Sequence, residues 1–136
     1  MRIINILFFS FVCLSMLSQN KLSEKLEQAF GSERIKFLKA NSPDSIEYYS
    51  FLLENGFRIS EKKYLNQEQL PNATPIEVPK DFFLNGQINI DKFNIFLLPV
   101  NFRETENSYY SISGTDYIII LRSKEYLNKK FQSKSK

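Results

Sequence analysis

Five consecutive apolar residues, Tyr117-Ile118-Ile119-Ile120-Leu121, follow a Gly114-Thr115 pair, and this stretch constrains the fold more than any other. Successive residues of a strand point to opposite faces, so a strand that is apolar throughout must be at least partly covered on both sides. Gly114-Thr115 suits a two-residue turn with glycine first. That turn sets a register: Ile112 opposite Tyr117, Tyr110 opposite Ile119 and Ser108 opposite Leu121. One face of the hairpin then carries Tyr110, Ile112, Tyr117, Ile119 and Leu121. The other carries Ser111 and Ser113 with Ile118 and Ile120.

Upstream, the hydrophobic spacing changes. Leu22, Leu26, Ala29 and Phe30 recur at three- and four-residue intervals, which predicts a helix ended by Gly31. Ser32 is placed to cap a second, shorter helix carrying Ile35 and Leu38. Ser42-Pro43-Asp44 reads as a cap, a first-turn proline and an acid that complements the helix dipole. The helix that follows turns Ile46, Tyr49 and Leu53 inward and stops at Asn55-Gly56. Beyond it, FRIS predicts a short strand, IEV after Pro75 an edge strand, and NIFLLPV a largely buried strand. Between the first two, EKKYLNQEQLPNATP reads as an exposed connection bounded by prolines. Ser123 is placed to cap a last helix, KEYLNKKF. Helices first and strands later predict an α+β fold: N-terminal helices on a small antiparallel sheet, ending in a β-hairpin and a short C-terminal helix.

The first eighteen residues stand apart. Arg2 gives a short positive end, and Ile3 to Asn20 carries no charge. As a helix that stretch spans roughly 27 Å, short of the bilayer's apolar thickness, and Asn5, Ser10, Ser15 and Ser18 dilute it. A positive end, an apolar stretch and small residues after it describe a secretory signal peptide. Cys13-Leu14-Ser15 places small residues for a cut before Met16; a cut before Gln19 is the alternative. Retention of residues 3–20 as a membrane anchor is a further alternative. Lipidation of Cys13 would set Val12 where such signals want a small residue. The expected organisation is a signal peptide at 1–18, one α+β domain at 19–131 and a basic mobile tail at 132–136. Processing leaves no stable membrane span, and the protein is expected to be secreted or periplasmic.

Composition narrows the chemistry. The 136-residue chain has no histidine and a single cysteine, Cys13, which leaves with the leader. Ser-His and Cys-His nucleophile pairs and ordinary zinc sites are therefore excluded, and catalysis would fall to carboxylates, Lys, Tyr or Ser. The formal charge of +3 includes Arg2, and so mild an excess without a concentrated basic face argues against nucleic-acid binding. Abundant Phe with no Trp reads as core filling.

Four local patterns bear on function. Counted from Asp81, the stretch DFFLNGQINID resembles an EF-hand loop at Asn85, Gly86 and Asn89. It places Phe83 at position three and Lys92 at position twelve, where a bidentate Glu is needed. A turn at Asn85-Gly86 joining two short extended pieces fits better. Glu104 and Glu106, with Arg103 to orient one of them, would suit carboxylate-dependent glycoside hydrolysis, but RETENS reads as a polar loop. Asp81, Asp91, Glu104 and Glu106 are all expected on the surface. The pairs Tyr48-Tyr49 and Tyr109-Tyr110 would suit stacking on a sugar or peptide, yet core packing is the simpler role. Asn72-Ala73-Thr74 fits a glycosylation acceptor only in a eukaryotic secretory pathway.

Taken together, the leader ending in LSQN, the NSPDSIEYYSFLLENGF segment and the terminal YIIILRSKEYLNKKF resemble the layout of small exported, uncharacterised proteins of Gram-negative bacteria. The resemblance covers most of the chain loosely and implies export, without an activity, a cofactor or functional residues. The function expected is a non-enzymatic accessory or binding domain of the cell envelope, whose partner is an unidentified envelope protein or polymer. The alternatives are a carboxylate-dependent hydrolase of envelope polymers and a membrane-tethered accessory domain. No catalytic residue, metal ligand or cofactor is assigned.

Overall fold

A computed structural model describes residues 18–66, 68, 70 and 72–134. The leader therefore lies outside the described residues except for Ser18. Among the described residues no helix is long and apolar enough to cross a membrane. The chain is α+β, and the described residues form four helices, a four-stranded sheet and a separate two-stranded hairpin.

Three helices come first: α1 (18–30), α2 (Ser32–Asn41) and α3 (Pro43–Asn55). Gly31 separates α1 from α2 at φ 82, a left-handed conformation that glycine adopts without a Cβ penalty. Gly31, not Ser32, occupies the N-cap of α2, and Ser32 is its first residue. Ser42 does hold the N-cap position of α3 with Pro43 next, although its side chain makes no capping bond. The deepest residues of α3 are Phe51 and Leu52, whereas Ile46, Tyr49 and Leu53 are half-buried. The inward face is rotated because a second layer covers α3: Phe51 and Leu52 pack with Leu127 and Phe131 of α4 (Lys124–Lys134). Ser123 caps α4 as expected, its Oγ accepting from the Tyr126 N–H at 3.3 Å. The helix runs through Lys134, three residues into the segment read as a tail.

The sheet order is β1-β6-β5-β2, with β1 at Phe57–Glu61, β2 at Thr74–Ile76, β5 at Ser108–Ile112 and β6 at Tyr117–Leu121. The hairpin register is the predicted one, with Ser108 opposite Leu121 and Tyr110 opposite Ile119. Its reversal differs in detail, because the Thr115 N–H bonds to the Ile112 carbonyl at 3.2 Å around Gly114 at φ 70. Glycine thus serves as the third residue of a β-turn, the place where a positive φ is required. Ile118, Ile119, Ile120 and Leu121 are all buried, so β6 has no solvent face.

The sheet is mixed rather than wholly antiparallel. Antiparallel β1 sets Phe57 opposite Leu121 and Ile59 opposite Ile119, whereas β2 runs parallel to β5 with Ile76 opposite Ile112. No tight turn joins β2 to β5, so their relative direction is set by burial of Ile76 and not by a hairpin. Strand β2 also begins two residues earlier than IEV and includes Pro75, tolerated on an outer strand. The small hairpin pairs β3 (Phe83–Leu84) with β4 (Gln87–Ile88). Its turn is Asn85 at φ 53 and Gly86 at φ 76, the mirror-image geometry that Asn-Gly favours.

One predicted strand is absent. Residues 95–97 of NIFLLPV form a single 3-10 turn instead. Asn94 explains the difference: its side-chain oxygen accepts from the Phe96 N–H at 3.2 Å, giving the backbone a local partner that a strand would forgo. The same side chain donates to the Lys25 carbonyl at 2.8 Å and lies near Gln28 at 3.3 Å, pinning the segment to α1. The apolar run still marks burial, since Phe93, Ile95 and Leu98 lie in the core. Asn94 is fully buried. Asn94→Ala would orphan these polar groups and is expected to cost about 2 kcal/mol in urea unfolding. A loss below about 0.5 kcal/mol, the ordinary surface range, would show that the latch carries little of the stability.

Candidate functional site

Among the described residues, most buried side chains fall into two clusters, one under the sheet and one between α3 and α4. Phe96 and Phe102 pack against both. Where these clusters meet the surface, the aromatic rings are not fully covered, and a cleft of about 660 Å³ opens between them. That volume is in the range of small-molecule sites.

The floor is built from distant parts of the chain. Phe30 comes from the end of α1, Tyr48, Tyr49 and Leu52 from α3, and Phe96, Val100 and Phe102 from the segment after the 3-10 turn. The rings brace one another at ordinary aromatic distances. Phe30 lies 5.1 Å from Tyr49 and 5.2 Å from Phe96, and Tyr49 meets Phe96 edge-on at 5.9 Å. Phe96 in turn lies 5.8 Å from Phe102. Tyr48 is held between Phe51 and Phe131, and burial raises its phenol above the usual tyrosine range. Each ring lining the floor packs against a neighbouring ring and is only half-buried, so the aromatic surface is formed before anything binds.

The rim is polar. Asp44 and Ser45, at the first turn of α3, line it together with Asn101, Arg103 and Lys124. Arg103 does not orient Glu104, as one reading of the sequence would have it. Asn101 takes that role through its Nδ2, 2.6 Å from Glu104, while its Oδ1 accepts from the Arg103 N–H at 3.0 Å. The Glu104 carbonyl accepts from the Lys124 N–H at 2.9 Å, which ties the start of α4 to the Arg103-Glu104 segment.

The predicted carboxylates lie elsewhere. Asp81, Asp91, Glu104 and Glu106 are all exposed. Glu104 and Glu106 border one shallow depression with Tyr109 and Tyr110, and Asp81 and Asp91 border another among three lysines. Asp91 bonds to Lys21 at 2.8 Å, a contact that holds its carboxyl below the usual range. The Asp81 stretch forms the β3–β4 hairpin, so the Asn85-Gly86 turn stands as read. Among the described residues, no three acidic or cysteine side chains converge as a metal site would need.

Core packing accounts for Tyr110, which packs against the sheet cluster and whose hydroxyl accepts from the Asn101 N–H at 3.4 Å. It is incomplete for Tyr48-Tyr49, whose rings pack inward and also line the cleft. Sequence reasoning passes over Phe30, Phe96, Phe102 and Lys124 as site residues, because no local spacing connects them. The chain matches no protein-family model, no curated protein and no solved structure.

Proposed function

We propose that this protein is an exported, non-enzymatic binding domain of the cell envelope that uses the aromatic cleft. The observation that carries the reading is a braced, half-exposed aromatic floor with a polar rim. Rings immobilised by neighbours lose little freedom on contact, so a ligand or partner meets a preorganised surface. The lack of histidine and the exposed placement of Asp81, Asp91, Glu104 and Glu106 favour recognition over the hydrolase reading. Export rests on the signal-like residues 1–18 and on the loose resemblance in layout to small exported Gram-negative proteins.

Two measurements test this proposal. Intact mass of protein recovered outside the cytoplasm is expected to begin at Met16 or Gln19. Protein that keeps Met1 and stays in the membrane would favour the tethered alternative. Purified protein is expected to release no product from peptidoglycan, polysaccharide or ester substrates above a blank. Activity lost on neutralising Glu104 or Glu106 would replace this reading with the hydrolase.

A further inference from the structure

Resting on that binding reading, we propose that the cleft takes a small amphipathic monoanion: an apolar body on the ring floor, with one carboxylate or similar group at the Arg103–Lys124 rim. The charge pattern selects this chemistry. Arg103 and Lys124 are exposed, and neither has an ion pair among the described residues. Glu104, the acid adjacent to Arg103, is turned to Asn101 and does not line the cleft. Its carbonyl, holding the Lys124 N–H, keeps the backbones of the two cationic residues close together.

Among the described residues Asp44 is the single acid lining the cleft, so the rim they form keeps one net positive charge. A ligand with one negative group neutralises that excess, whereas a neutral or cationic ligand leaves it unmatched. Charge-assisted contacts to carboxylates are about twice as strong as neutral ones, and at the edge of an apolar floor they are less screened than on open surface. The floor itself suits an apolar body, whether a ring system or an alkyl chain. Phe30, Tyr49, Phe96 and Phe102 are only half-buried and leave ring surface that an apolar body can cover.

A matched pair of fluorescent probes tests the proposal. 8-Anilinonaphthalene-1-sulfonate and N-phenyl-1-naphthylamine share the same ring system and differ by the sulfonate. The sulfonate probe is expected to bind at a single saturable site from which dodecanoate displaces it. The double variant Arg103→Gln/Lys124→Gln removes two exposed charges and leaves the floor intact. It is expected to weaken the sulfonate probe about tenfold while holding the neutral probe within about twofold. Equal losses for both probes, or an unchanged sulfonate affinity, would overturn the anion inference and leave the binding reading standing. Absence of saturable binding by either probe would remove both. Displacement by peptides with a free C-terminal carboxylate but not by dodecanoate would also overturn it, in favour of a peptide partner.

Discussion

Replacing Ile119 with aspartate is expected to unfold the protein at room temperature. Ile119 is fully buried in the sheet cluster, paired across the hairpin with Tyr110 and across β1 with Ile59. A carboxylate there would have no polar partner, and burying an unpaired charge costs several kcal/mol. Whole domains are stable by about 5–15 kcal/mol, so a loss beyond about 4 kcal/mol consumes much or all of it. Ser111→Asp is the control: it lies one residue along β5, on the opposite face, and is only half-buried. Its cost is expected to stay below about 1 kcal/mol. Far-ultraviolet circular dichroism and thermal melts separate the two, and equal effects would show that the two hairpin faces do not differ as described.

The second large effect is expected at Gly56, the C-cap of α3. Its backbone is ordinary right-handed helix at φ −72, so conformational freedom is not why glycine stands there. Space is the reason. A Cβ on Gly56 would lie 2.5 Å from the Leu52 carbonyl oxygen and 2.8 Å from a ring carbon of Phe102. The backbone contact cannot yield cheaply, and overpacking of this kind typically costs about 1–3 kcal/mol. Gly56→Ala is expected at the upper end, about 3 kcal/mol by urea unfolding. Gly31→Ala, with open space around it but φ 82 and ψ 145, should cost about 2 kcal/mol from backbone strain alone. The reverse order would mean that the α3 terminus shifts to admit a methyl group.

What could be read from the sequence followed the range of the interactions. The hairpin register is legible because one glycine-containing reversal and two alternating faces over-determine it. Asn85-Gly86 is legible for the same reason, since both residues tolerate a positive φ. The segment from Asn94 to Val100 is not, because an apolar run reports burial and leaves backbone shape open. Its shape depends on Asn94 reaching α1, almost seventy residues earlier. The direction of β2 depends likewise on pairing with a strand more than thirty residues later. The cleft lies furthest from sequence reasoning. Tyr48-Tyr49 draws notice as a pair, but Phe30, Phe102 and Lys124 join it only through tertiary packing.

Pro75 has a consequence for association between molecules. The Ile76 carbonyl accepts from the Ser113 N–H at 3.0 Å, so the alternation of a strand turns the peptide groups of Pro75 away from the sheet. Proline has no N–H to present there. A strand from a second molecule, approaching this rim to extend the sheet, would find an acceptor and no donor at the centre of a three-residue segment. The sheet therefore ends at β2 by chemistry as well as by length, a common protection against edge-to-edge aggregation.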